Sequence, residues 1–266
     1  MLIHNKNDII TTLDNLIINQ VIKLKKNMDS RGTKNIYKYS MFIKAFFKRL
    51  KTGNTWENIS NEFKISKTHL HRVFNIWCDA NIFKNAYTQF LKQYNCYIDQ
   101  DEVYIDTSII INKYGYKNTT GYNSYEAKKH RSNKISCIVS KNGIPLSIKI
   151  TNSQIHDIKI LYDTLPKRTI FTKLYGDKAY ISKNLKYKLK RNRNIELITE
   201  YRCNQLKKQK IDTKPRITIE HFNSLIKQNR IINVRYDKNI EPYESMVYLG
   251  CLYRGLQIVF KFLYNL

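Results

Sequence analysis

Around Tyr94–Gln100 the hydrophobic period of this chain changes, and a chain with two periods cannot be one uniform fold. Upstream, apolar residues recur every three or four positions, as at Ile10, Leu13, Ile17, Val21 and Leu24, which is the stripe of an amphipathic helix. Downstream they come in short β-branched and aromatic runs, which suit strands. The expected division is an all-helical domain over residues 1–97 and an α/β domain over 98–266.

In the first part, helices are predicted over 9–26, 36–50, 55–63 and 67–80, with a further one through Leu91. Gly53 supplies a C-cap and Ser66 an N-cap. The short helix, the tight Lys64-Ile65 connection and the longer helix have helix-turn-helix spacing. Trp56, Ile59, Phe63, Leu70, Val73, Phe74 and Trp77 supply a small core for it. Lys67, Thr68, His69, His71 and Arg72 crowd the start of the second helix, where a recognition helix meets base edges. Lys67, Thr68, His69 and Arg72 are therefore candidate DNA contacts; the plainer alternative is a two-helix packing with a solvated basic face. His69 and His71 are two apart, which is not a helical metal-ligand spacing, so both are read as surface or phosphate-contacting.

Charge narrows the partner. The chain has 47 Lys+Arg against 21 Asp+Glu, a formal net charge of +26, and that excess calls for a polyanion, DNA first. Part of it reflects a composition rich in Asn, Ile, Lys and Tyr, which discounts the argument without removing it. A membrane surface is the rival, but the apolar run from Ser245 to Leu266 is broken by Arg254 and Lys261 and reads as a core helix. Cys78, Cys96, Cys137, Cys203 and Cys251 are odd in number and unpaired in spacing, so they read as reduced structural thiols. The first residues lack a signal-peptide pattern, and the expected compartment is the cytoplasm, nucleoid or nucleus rather than the exterior.

In the second part, strands are expected at 102–111, 134–140, 145–151, 169–176 and 195–199, with Asn142-Gly143 turning a hairpin between the second and third. Helices fall at 154–165, 182–191, from about Pro215 to Gln228, and from about Pro242. Residues 183–214 form a basic stretch suited to a DNA backbone. Two strand runs end in an Asp followed by small residues, Ile105-Asp106-Thr107-Ser108 and Gly176-Asp177-Lys178-Ala179, and the late helix carries Glu220. An Asp at a strand end is more often a turn former than a catalyst. Here apolar Ile105, Ile217, Ile219 and Phe222 surround the carboxylates, and buried carboxylates need a cation. Three hard oxygen donors suit Mg²⁺ or Mn²⁺, and such a site cuts phosphodiesters.

Three antiparallel strands, a helix, a strand, a helix, a strand and a last helix is the order of a ribonuclease-H-like fold. The fold class is therefore α/β, a ribonuclease-H-like mixed five-stranded sheet flanked by helices, with an all-helical N-terminal helix-turn-helix domain. The Ile-Asp-Thr-Ser strand end, residues 142–146, His156-Asp157, residues 176–180 and the run from Ile219 to Asp237 together resemble the DDE transposases of bacterial insertion sequences. The resemblance implies that Asp106, Asp177 and Glu220 form a metal-binding catalytic triad, holding two Mg²⁺ or Mn²⁺ ions. It places Arg216 and Lys227 at the family's basic positions around Glu220; with Arg230 they are candidate DNA contacts. Thr213 stands where the family has a Tyr. At about 100° per residue, Arg216, Glu220 and Lys227 share one helix face. The implied activity is binding of a mobile element's ends with cleavage and strand transfer into double-stranded target DNA, by a homodimer or larger assembly. The alternative is a transposase-derived DNA-binding protein without catalysis. A two-carboxylate glycosidase is disfavoured by the net charge.

Overall fold

The computed structural model describes residues 2–26, 36–123, 127–167, 171–199 and 217–264. In chain order it contains α1 (Leu2–Lys26), α2 (Tyr39–Thr52), α3 (Trp56–Phe63), α4 (Lys67–Asp79), α5 (Ile82–Gln93), β1 (Glu102–Asn112), β2 (Gly121–Asn123), β3 (Ala127–Ser140), β4 (Pro145–Asn152), α6 (Asp157–Thr164), β5 (Lys173–Gly176), α7 (Lys183–Arg193), β6 (Glu196–Thr199), α8 (Ile217–Lys227), α9 (Arg230–Asn233) and α10 (Ile240–Leu263). They group into two compact units, one of Met1–Asn95 with Ile226–Leu266 and one of Cys96–Leu225.

The first unit is helical, and its punctuation follows from single residues. Gly53 takes a left-handed φ of 69° and its N–H returns to the Arg49 carbonyl, which stops α2. Thr55 Oγ1 then accepts from the Asn58 N–H, and Ser66 Oγ from the His69 N–H, starting α3 and α4. Phe46 sits edge-on to Trp56, Phe74, Trp77 and Phe83, so one ring joins α2, α3, α4 and α5. Helix α10 is long and apolar enough to cross a membrane by length and composition, yet 67% of its most apolar window is buried. It packs on α5, α1 and α4. Gly255 admits the Phe90 ring, since a Cβ there would lie 2.5 Å from it. The sequence reading grouped residues 226–266 with the α/β domain, whereas here they complete the helical core. Periodicity reveals an apolar stripe but not which partner covers it.

A buried polar centre lies beside this core. Arg235 is fully buried; its Nε donates to the Asp237 carbonyl at 3.0 Å and its Nη2 to the Lys238 carbonyl at 2.8 Å. The Asp237 carboxylate is 4.0 Å from Arg49 Nη2, and Arg49 lies over the Trp56 ring at 4.4 Å. Burial pushes the Asp237 carboxyl up, opposed by Arg49 and Arg235. The Tyr243 hydroxyl donates to the Ile232 carbonyl at 2.7 Å.

Between α1 and α2 is a cavity of about 340 Å³ lined by Leu13, Ile43, Phe47, Phe63 and Tyr253, among others. Asp14 borders it with a buried oxygen, and burial pushes this carboxyl up to about 6 against the pull of Lys44. A carboxyl whose pKa is raised by folding binds its proton more tightly in the folded state. Its contribution to stability is greatest below the unfolded value near 3.8 and is lost as pH rises to about 6. Asp14→Asn is expected to raise the melting temperature at pH 7.5 by a few degrees, corresponding to roughly 1 kcal/mol after allowance for partial exposure. The gain should shrink toward pH 4.5, and thermal melts at the two pH values check it.

The second unit is built on a mixed sheet. β1 and β3 pair antiparallel from Val103 opposite Ser140 to Ile111 opposite Ser132. β4 and β2 lie along the far side of β3, and β5 and β6 extend the other side in parallel with β1. Gly143, at φ 84°, turns the β3–β4 hairpin. The order β4-β3-β1-β5-β6, with α6 and α7 as crossovers, is the ribonuclease-H-like arrangement. The five expected strands are all present, and two short strands, β2 and Val234–Arg235, are additions. Among the described residues Cys78, Cys137 and Cys251 are buried free thiols and Cys96 an exposed one.

Candidate active site

Strand register brings the first two carboxylates together. Val103 is opposite Leu174 and Tyr104 opposite Tyr175 on the parallel strands β1 and β5. Asp106 follows two residues after Tyr104 within β1, and Asp177 follows directly after β5, two residues beyond Tyr175, so both carboxylates lie toward the same end of the paired strands. Each carboxylate is half-buried and held from the backbone. The Thr107 N–H donates to Asp106 Oδ1 at 2.8 Å, and the Ala179 N–H to Asp177 Oδ1 at 2.9 Å. Asp177 thereby caps a single 3-10 turn, Lys178–Tyr180.

That turn explains the residues around Asp177. A Cβ on Gly176 would meet the Tyr180 ring at 2.9 Å, so glycine lets Tyr180 fold back under the strand. The Tyr180 hydroxyl is buried. Burial, followed by Asp157, Asp106 and Asp177, drives its ionisation far above the ordinary phenol range. His156 caps α6, its Nδ1 accepting from the Ile158 N–H at 3.3 Å. Asp157 pairs with Lys134 of β3 at 2.9 Å, in a site where both side chains are less than one-fifth exposed. These contacts give the His-Asp pair an architectural role.

Helix α8 brings the third carboxylate. Asn223 is buried and its Nδ2 donates to Asp106 Oδ2 at 2.9 Å, so the helix is tied to the strand end one turn beyond Glu220. Glu220 is exposed, not enclosed by apolar neighbours as the sequence suggested. Ile219 and Phe222 take the buried face instead, and the helix turns Glu220 outward. No group of three His, Cys, Asp or Glu side chains among the described residues converges closely enough to hold an ion. The donor chemistry nonetheless suits a hard cation, because all three groups are carboxylates and Asp106 is oriented by two N–H donors.

Asn223 was not singled out in the sequence, where an Asn on an amphipathic helix carries no distinguishing mark. Its amide fixes the Asp106 carboxylate. Asn223→Ala is expected to weaken Mg²⁺-dependent DNA cleavage by roughly 10- to 100-fold, with higher Mg²⁺ restoring part of the rate. A Mg²⁺ titration of initial rates tests this; a rate loss independent of Mg²⁺ concentration would point to a different role.

The other candidates are scattered. Lys227 is half-buried at the end of α8, and helix geometry sets it about 20° from Glu220. Arg230 is exposed and opens α9 beside Gly53. Lys67 is exposed and paired with Glu57 at 2.9 Å. Thr68, His71 and Arg72 lie on the outer face of α4, and Arg72 approaches His69 Nδ1 at 3.4 Å. His69 departs from the expected surface role, its ring packing against Phe42 and Tyr37. An imidazole on the α2 side of α4 fills space between rings. Arg216, Thr213, Pro215 and the basic track beyond Thr199 lie outside the described residues.

Residues 117–238 match the family model described as "Transposase DDE domain". The matched stretch contains Asp177 and Glu220 and begins after Asp106. Among solved structures, a piggyBac transposase synaptic complex with hairpin DNA is similar with a TM-score of 0.45 and 9% identity, over 96% of this chain and 72% of that one. A Mos1 transposase paired-end complex is similar with a TM-score of 0.34 and 8% identity, over 90% and 81%. No curated protein matches the sequence significantly.

Proposed function

We propose that this chain, which carries a transposase DDE domain across residues 117–238, is a DNA transposase that cleaves and joins DNA at the ends of its own mobile element. The observation that supports the reading is that Asp106 of β1 and Asp177, just past the end of β5, lie toward the same end of two parallel-paired strands, with α8 tied to Asp106 through Asn223. Asp106, Asp177 and Glu220 would hold divalent ions, Mg²⁺ or Mn²⁺. When bound, such ions polarise the attacking oxygen and neutralise charge on the phosphoryl group. The backbone N–H groups of Thr107 and Ala179 orient the two aspartates without neutralising them. No side chain needs to form a covalent intermediate. A water oxygen bonds to phosphorus as the 3′ oxygen leaves and takes a proton; that 3′-hydroxyl then attacks a target phosphodiester in the same way.

The exposed face of α4 would contact the element's ends through Lys67, Thr68 and Arg72, and Arg216, Lys227 and Arg230 would contact DNA near the triad. Work on two ends calls for at least a dimer, in the cytoplasm, nucleoid or nucleus. A second reading, a transposase-derived DNA-binding protein without catalysis, gains support from the outward Glu220. Incubating the purified chain with plasmid carrying the inverted repeats that flank its gene, with and without Mg²⁺, separates the two. Nicks mapping to the repeat ends support the transposase; specific binding without nicks supports the second reading.

A further inference from the structure

Where β1 ends, the chain loops through residues 113–120 into β2, and the loop and the start of that strand together turn three aromatic rings to solvent. Tyr114, Tyr116 and Tyr122 are 66%, 54% and 47% exposed. The loop is nevertheless fixed. Asn112 Oδ1 accepts from the Gly115 N–H at 2.9 Å, and Asn133 Nδ2 donates to the Thr119 carbonyl at 2.7 Å. Arg131, opposite Tyr122 on β3, donates through Nη1 to the Lys117 carbonyl at 2.9 Å and to the Thr120 carbonyl at 3.3 Å. Its guanidinium lies 4.9 Å from the centroid of the Tyr122 ring. Lys113 and Lys117 are exposed alongside, and no Asp or Glu occurs between residues 111 and 123.

Rings held outward on an ordered, cation-only scaffold match a partner with flat π-faces and phosphates. We propose that this loop and the β2–β3 edge beside it form a platform for unpaired bases of DNA, with Tyr114, Tyr116 and Tyr122 stacking on bases and Lys113, Lys117 and Arg131 holding the backbone. In a duplex the base faces are covered by their neighbours, so the rings engage only strands that are frayed, flipped or opened. The proposal rests on the DNA-processing reading only for why such strands would be present.

The test uses the full chain in EDTA at near-physiological salt, which keeps it independent of metal-dependent cleavage. Fluorescence anisotropy compares an oligo-dT of about 15 nucleotides with an abasic strand of equal length and charge. Wild type is expected to bind oligo-dT roughly tenfold or more tightly than the abasic strand. Tyr114→Ala/Tyr116→Ala/Tyr122→Ala should bring the two affinities together by weakening oligo-dT alone. The single variant Tyr114→Ala, at the most exposed ring, should remove part of the preference with an unchanged melt. Equal binding of both strands by wild type, or a preference retained in the triple variant, overturns the platform. Absence of nicking in the separate plasmid assay with Mg²⁺, with the oligo-dT preference intact, overturns the catalytic reading instead.

Discussion

Replacing Asp177 with asparagine is expected to lower Mg²⁺-dependent cleavage by roughly a thousandfold or more, because groups that act as one site are not partly dispensable. The choice of asparagine matters. Asp177 Oδ1 caps the 3-10 turn that seats Tyr180, and an amide oxygen can accept the same bond from the Ala179 N–H. Asp177→Asn should therefore melt like the wild type, whereas Asp177→Ala would add the loss of a cap, about 1 kcal/mol. Asp106→Asn and Glu220→Ala should match it in activity. Glu220→Ala is the most informative of the three, because that side chain is exposed and the core side of α8 is formed by Ile219 and Phe222 instead. Near-normal nicking by any one of them would remove the triad, and measuring binding to the same DNA shows whether the loss lies in chemistry alone.

The second large effect is expected on stability. Asp237→Ala should destabilise the helical unit by about 3–5 kcal/mol, because Arg235 and Arg49 would keep their charge in the interior without the carboxylate that opposes it. In melting temperature this is on the order of 10 °C. Burial already raises the Asp237 pKa, so the carboxylate is costly in itself; its value lies in the cations around it. Converting Arg49 to methionine in the same chain should recover part of the loss, and thermal melts of both proteins decide it. If Asp237→Ala melts within about a degree of the wild type, the centre is solvated and the burial argument fails.

Local signals were legible where one residue determines a geometry. Gly53, Ser66 and Gly143 punctuate the structure as the sequence indicates, because left-handed backbone and side-chain caps depend on chemistry at single positions. The strand order followed from the succession of element types. Hidden were features decided by distant partners. Asn223 gains meaning only from Asp106, 117 residues away. Lys134 gains its role from Asp157 and α10 its place from α5. His69 shows the same limit, since a residue at the start of a basic helix turned out to face Phe42. The three candidate carboxylates stand in three short motifs, but the outward turn of Glu220 depends on which side of α8 packs inward.

The grouping of α10 with α1 and α5 bears on how the protein is made. Between the end of α5 and the start of α10 a ribosome adds about 146 residues, which takes roughly 7–30 s at typical rates. During that interval Phe90 and Tyr87 have left the tunnel while Gly255 and Tyr248, which cover them, have yet to be synthesised. The α/β unit is complete sooner, since its last residue is Leu225. Nascent chains of this protein therefore expose an apolar helix face for many seconds. Trigger-factor-type holdases, or slowed synthesis in the cold, should change its soluble yield more than the stability of the finished fold would suggest.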